Sequence, residues 1–291
     1  MKILVTGGTG TVGSQVVKEL LARKADVRVL TRDASKPLPT GVTAVQGNLQ
    51  DVATVRQIFQ GIDAVFLVSA VSPTEASEAL MAVTGMRLAG VKRVVYLSVH
   101  HADQAAWLPH FGSKVGVEEA LKVSGIPFTI LRPNHFFQND YWSKDAILQY
   151  GVYPHPFGDA GVSRVDVRDI AEAAAIALTE PGHDGQVYDL VGPEPITATK
   201  TAQIWSRVLG RTIVYGGNDL DAWEKQALQY MPDWMVFDIR EMYRFFQTQG
   251  LKASPEAVVR LTRLLGHPPR AFEAFAQETA AAWNAAPTVT H

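Results

Sequence analysis

The chain has 291 residues, 47% of them hydrophobic and 19% charged, with a formal net charge of -2 and no cysteine. A near-neutral balance without a long Lys/Arg run excludes general nucleic-acid or polyanion binding, and the missing cysteine excludes disulfides, thiol catalysis and zinc-thiolate sites. No uninterrupted apolar run is long enough to span a bilayer, and the chain opens on a strand rather than a signal peptide, so a cytoplasmic protein acting on small molecules, not on nucleic acid or membrane, is expected.

Lys2–Thr6 reads as a first strand that runs straight into glycines at 7, 10 and 13, and an amphipathic segment, Val12–Arg23, follows. Strand, glycine turn and helix in that order build a dinucleotide-phosphate site. Thr6 closes the strand, Gly7 permits the tight turn, Gly10 lets the backbone approach a pyrophosphate, and Gly13 lets the helix pack close. The helix start at Thr11, Val12 and Gly13 then offers N–H groups and a positive dipole end to the phosphates. Asp26–Thr31 alternates as a second strand. An acid at its end would bond the ribose 2′-hydroxyl of NAD, whereas an arginine suits the 2′-phosphate of NADP. Arg32 stands there, with Asp33 behind it and Lys36 close by, which favours NADP(H) over NAD(H) unless Asp33 turns inward.

The third strand, Val42–Gln46, leads into Gly47-Asn48-Leu49-Gln50-Asp51 and a helix at Ala53–Phe59. The fourth, Ala64–Ser69, ends on Ser69 and Ala70, small enough for the backbone to lie against a nicotinamide ribose. A helix at Glu75–Ala89, a strand at Arg93–Ser98, a helix at Ser113–Val123 and a strand at Pro127–Leu131 complete the alternation. Such a pattern implies an α/β fold, a doubly wound parallel sheet with right-handed crossovers and ligands at the carboxyl ends of the strands. His100 and His101 follow the fifth strand without HExxH-type spacing, so no metal site is expected.

Beyond Leu131 the chain turns to aromatics and amides, then returns to the first pattern with a helix from about 165 to Leu178 and a strand at Gln186–Val191. Ala202–Leu209, Leu220–Gln247, Pro255–Leu265 and Arg270–Trp283 read as helices. The expected division is a nucleotide-binding domain of residues 1–133 and 164–192, and a smaller, mostly helical substrate-binding lobe of residues 134–163 and 193–291 that caps the carboxyl edge of the sheet. Asn134, Phe136, Phe137 and Tyr141 are the candidates for meeting a substrate, since part of this aromatic set is expected to line a flat apolar pocket.

Several segments carry a family resemblance: Thr6–Gly13, Gly47–Asp51, His110–Lys114 with Val117-Glu118-Glu119-Ala120-Leu121, Gly125–Asn134, Asp166–Ala171, Tyr188–Glu194 and Pro268–Phe275. Together they resemble the NmrA-like branch of the atypical short-chain dehydrogenases/reductases, which implies a Rossmann fold. The resemblance places Asn48 and Leu49 beside the adenine, with Asn48 where the superfamily carries an acid, and Ser98 at the position of a substrate-orienting serine. Active short-chain dehydrogenases carry Tyr-x-x-x-Lys at the helix that follows. Here Lys114 matches and His110 stands in place of the tyrosine, four residues earlier on the same helix face. Lysine in that role binds the nicotinamide ribose, and a histidine delivers a proton near neutral pH. The family holds both NADPH-dependent reductases and NADPH-sensing regulators. The first expectation is therefore hydride transfer to a small apolar conjugated acceptor of quinone, azo, imine or enone type. The alternative is a catalytically weak NADP(H)-binding redox sensor with a protein partner. A nucleotide-sugar epimerase is a third reading, disfavoured because that chemistry relies on the missing tyrosine.

Overall fold

The computed structural model describes residues 1–35 and 37–285, so Lys36 lies outside the described residues. In chain order the elements are β1 (Lys2–Val5), α1 (Thr11–Ala22), β2 (Asp26–Thr31), β3 (Val42–Gln46), α2 (Val52–Ile58), β4 (Ala64–Leu67), α3 (Glu75–Ala89), β5 (Arg93–Leu97), α4 (Pro109–Val123) and β6 (Phe128–Pro133). A 3-10 helix (Phe137–Ser143), α5 (Lys144–Tyr150) and β7 (Val152–Tyr153) precede α6 (Val167–Thr179) and β8 (Gln186–Leu190). The chain ends in α7 (Ala198–Leu209), β9 (Val214–Tyr215), α8 (Leu220–Ala227), α9 (Asp233–Gln249), α10 (Pro255–Leu265) and α11 (Phe272–Ala285). The described residues divide into two compact units, one within Met1–Pro133, Val167–Leu190 and Arg263–Gly266, the other within Asn134–Asp166, Val191–Thr262 and 267–285.

The first unit is a Rossmann-like α/β fold. Its seven-stranded sheet is parallel throughout, in the order β3-β2-β1-β4-β5-β6-β8. Val5 of β1 pairs with Val29 of β2 on one side and with Phe66 of β4 on the other, so the strand order reverses at β1. That reversal opens a crevice at the carboxyl ends of β1 and β4, the place where such sheets take ligands. Ile3, Leu4, Val5 and all of Ala64–Leu67 are wholly buried, as continuous apolar runs covered on both faces must be. Leu4, Val65, Leu67, Val94 and Tyr96 meet Phe59, Val83, Met86, Val117 and Leu121 in one apolar layer. α1 turns Val12, Val16, Val17 and Leu20 inward.

Two expected helices need correction. α4 begins at Pro109, not Ser113. Proline lacks an N–H and has its φ set for the first helical position, so it opens the helix and brings His110 onto it. The expected helix from Leu220 to Gln247 is two, α8 and α9, because Pro232 ends the turn between them and serves as the cap of α9. The two-residue strands β7 and β9, which pair in parallel, and the 3-10 helix are too short to leave a periodic signal.

In the second unit a buried polar cluster replaces part of the apolar core. Asp140, fully buried, accepts from Arg164 Nη2 at 2.6 Å, Tyr153 Oη at 3.0 Å and Trp205 Nε1 at 2.9 Å. Arg164 also donates to the carbonyls of Phe136 and Phe137 at 2.9 and 3.3 Å, and its guanidinium lies 4.8 Å from the Phe272 ring centroid. Among the described residues no helix is long and apolar enough to cross a membrane.

Candidate functional site

At the end of β1 the chain turns on Gly7, whose φ of +60° is left-handed and open to glycine without strain. A Cβ on Gly13 would lie 2.2 Å from the Gly7 carbonyl oxygen, so the first turn of α1 packs directly on the glycine turn. α1 starts on Gly10 with no side-chain cap and no acidic residue in its first turn. Its leading N–H groups and dipole end therefore have no competing side-chain acceptor there, which is what a diphosphate requires. Thr11 is exposed beside them and Val12 is buried. Thr6 laces the glycine turn to the end of β4. Its hydroxyl donates to the Val68 carbonyl and accepts from the Val68 N–H, both at 2.8 Å.

Just past β4, Ser69 is 8% exposed and its Oγ has no hydrogen-bond partner. A buried hydroxyl left so is a donor or acceptor awaiting a ligand or an ordered water. Ala70 next to it is exposed. On the β2 side Arg32 is exposed, while Asp33 bends back on its own loop to accept from the Ser35 N–H and hydroxyl at 3.0 and 2.6 Å. Asn48 Oδ1 accepts from the Gln50 N–H at 3.1 Å, leaving its amide nitrogen as a donor, and Leu49 is buried beneath it. These residues fit a dinucleotide: an uncapped helix start, an orphaned hydroxyl, and an exposed cation just after β2. Arg32→Glu is expected to lower the NADPH-over-NADH preference in kcat/KM by about tenfold or more; steady-state kinetics with both nucleotides would check it, and an unchanged ratio would remove Arg32 from 2′-phosphate recognition.

The sequence pattern around Lys114 acquires a third member. Lys114, 4% exposed, bonds the carboxylate of Glu75, the first residue of α3. The second oxygen of Glu75 lies 3.7 Å from His110 Nδ1. Burial works against the Glu75 charge, but His110 and Lys114 outweigh it and hold the carboxyl below its ordinary value of 4.5. A depressed carboxyl stabilises the fold fully above the unfolded value and loses that contribution as pH falls through the folded one. Thermal stability is therefore expected to hold from neutral pH to about 5 and to fall below 4.5, less steeply in Glu75→Gln; melting curves across that range would check it, and identical profiles for the two proteins would contradict it.

Ser98, 4% exposed, donates to Glu118 at 2.5 Å, and Arg132 forks onto the same carboxylate at 3.0 and 2.6 Å. The Ser98 hydroxyl is thus committed to an acid of α4. Beyond it, His100 Nδ1 sits 3.1 Å from Asp189, and its ring stacks on His101 at 3.9 Å. His101 holds a left-handed φ of 59°, and burial, with His100 next, lowers its pKa to about 4.

The four substrate candidates fall in the second unit with different surroundings. Asn134 is 2% exposed and its amide is engaged by the Leu251 carbonyl and the His135 N–H, both at 2.8 Å. Phe137 is 1% exposed and packs against Phe272 and Phe275. Phe136 is half-buried, and Tyr141 is exposed, with its ring 5.6 Å from that of Phe275. Sequence patterning singles out neither Glu75 nor Glu118. The signal available for Glu75 is its position soon after a strand end, among the residues a ligand meets.

The profile of the NmrA-like family matches residues 1–276. The chain is 33% identical over 290 residues to the NAD(P)H azoreductase of Xenophilus azovorans, covering 98% of this chain and all of the relative. It is 36% identical to the (4-alkanoyl-5-oxo-2,5-dihydrofuran-3-yl)methyl phosphate reductase of Streptomyces griseus, covering 97% of this chain and 99% of the relative. The crystal structure of the Escherichia coli NADPH-dependent quinone oxidoreductase QOR2 with NADPH superposes with a TM-score of 0.85 at 26% identity, covering 97% of this chain and 99% of that one.

Proposed function

The chain belongs to the NmrA-like family, and from that footing we propose that it is an NADPH-dependent oxidoreductase acting on a small, apolar, conjugated acceptor of quinone, azo, imine or enone type. The observation that carries this reading is the uncapped, glycine-walled start of α1 in the same unit as the Lys114–Glu75–His110 cluster. When bound, NADPH supplies the hydride. Gly7, Gly10 and the first turn of α1 hold the diphosphate, Arg32 takes the 2′-phosphate end, and Asn48 and Leu49 border the adenine. Ser69 and Ala70 flank the nicotinamide ribose, whose hydroxyls Lys114 meets. Ser98, held by Glu118, stiffens the floor of the site. We assign nucleotide binding to the first unit and acceptor binding to the second, where Phe136 and Tyr141 have the exposure to meet an acceptor and the buried Phe137 and Asn134 do not. A conjugated acceptor suits a site with so little acid–base machinery, because alignment and dryness then supply most of what the transfer needs.

The test is purified protein with NADPH and a panel of quinones, azo dyes, imines and enones. Oxidation of NADPH that depends on one acceptor class is the expected result. Tight NADPH binding with no turnover on any of them would overturn the reductase reading and favour a redox sensor, for which the missing phenol and the pairing of Lys114 and Ser98 with acids are the supporting observations. A protein partner held by only one redox form of the nucleotide would then be sought.

A further inference from the structure

The reductase reading leaves open how a histidine serves at the position where the short-chain dehydrogenase pattern implies a tyrosine. We infer that Glu75 is the positioning residue of a Glu75–His110 pair, which fixes the His110 imidazole so that Nδ1 faces the carboxylate and Nε2 delivers the proton to the acceptor. The inference rests on the proposed reduction for its chemistry but on the geometry of one compact unit for its residues.

Three observations converge. Glu75 is 4% exposed, and its two oxygens are divided between two partners on one face of α4: one bonds Lys114, the other lies 3.7 Å from His110 Nδ1. A 3.7 Å separation is longer than a hydrogen bond, as catalytic contacts often are before ligands tighten them. Next, the division is dictated by charge. Lys114 carries only donors, so it must hold one carboxylate oxygen, and the other is left to the imidazole. Finally, the His110 side chain is 20% exposed whereas those of Glu75 and Lys114 are 5% exposed, so the imidazole is the most exposed of the three groups. A carboxylate on Nδ1 is the arrangement that sets the tautomer and orientation of a working imidazole and steadies its protonated form.

The step balances as a two-electron reduction. One end of the acceptor's conjugated bond takes a hydride with both its electrons. The Nε2–H bond of the His110 imidazolium breaks, and the proton closes on the atom at the other end. His110 is left neutral, with its remaining proton on Nδ1 towards Glu75, and regains a proton from water. Net, acceptor, NADPH and one proton become reduced acceptor and NADP+.

Glu75→Gln reads this out because an amide has only one acceptor oxygen. Lys114 will claim that oxygen, which turns the amide NH2 towards His110 and forces Nδ1 to accept. Histidine-labelled protein observed by 15N NMR, without nucleotide, is expected to show the neutral His110 proton on Nδ1 in the wild type and on Nε2 in E75Q. In kinetics with a reactive acceptor, E75Q and H110A are each expected to lower kcat about a hundredfold with the dissociation constant for NADPH unchanged, and E75Q/H110A to be no slower than H110A. A wild-type tautomer protonated on Nε2 would overturn the pairing even if E75Q fails to fold. Wild-type kcat in H110A would overturn the proton delivery. Absence of turnover by the wild type itself speaks against the reductase reading, and the tautomer measurement then still decides the pairing.

Discussion

Gly13→Ala is expected to weaken NADPH binding about a hundredfold, roughly 2.7 kcal/mol, with helix content retained. The added Cβ would sit 2.2 Å from the Gly7 carbonyl oxygen and 2.9 Å from the Gly8 Cα. Both are backbone atoms, so no side-chain rotation relieves the overlap. Either α1 slides away from β1 or the glycine turn opens. Each movement displaces the same N–H groups that would face the diphosphate, because they belong to the first turn of α1. The rest of α1 is anchored independently by Val16, Val17 and Leu20, all within 1% exposure, which is why the loss is expected in binding more than in folding. Nucleotide titration by fluorescence, with circular dichroism as the control, measures it. Binding within threefold of wild type would mean that the close packing of α1 on the glycine turn does not set the phosphate site.

The contrast between Gly13 and Glu75 marks what the linear sequence makes legible. Gly13 belongs to a local pattern: strand, turn and helix follow one another within about a dozen residues, and each glycine has a steric reason. The buried strands are equally visible, since Ile3–Val5 and Ala64–Leu67 are continuous apolar runs. Glu75, by contrast, meets Lys114 across 39 positions, and Ser98 meets Glu118 across 20. Nothing in helical or strand periodicity announces such a pair. An acid in a helix's first turn reads as ordinary dipole complement, and burial is what gives it a second meaning. The same blindness applies to Asp33, whose direction decides whether it opposes Arg32. Only the folded loop, in which Ser35 captures its carboxylate, answers that. Turn chemistry also outweighs periodicity where Pro109 lengthens α4 and Pro232 divides the aromatic segment.

Asp140→Ala is expected to cost about 4 kcal/mol of stability, the range for removing one partner of a buried ion pair, and to lower Tm by about 10 °C. Asp140 and Arg164 have no side-chain exposure, and burial opposes the Arg164 charge, yet Asp140 outweighs it and holds the guanidinium above its ordinary range. Removing the carboxylate strands that charge and also takes the acceptor from Tyr153 and Trp205. Arg164 keeps the carbonyls of Phe136 and Phe137, the Tyr153 hydroxyl and the faces of Phe137, Phe157 and Phe272, none of which carries a countercharge. The excess over an ordinary cavity can be isolated. Asp140→Leu combined with Arg164→Met removes both charges and should recover about half of the loss, since a charge left alone is what makes a broken pair so costly. Recovery is expected to stop there, because the Tyr153 hydroxyl and Trp205 N–H stay buried without their acceptor, each at about 1–3 kcal/mol when unsatisfied. Urea unfolding followed by tryptophan fluorescence separates the cases. A loss below about 1 kcal/mol in Asp140→Ala, or a double variant less stable than the single one, would show that the charge pair is not what organises the core of the second unit.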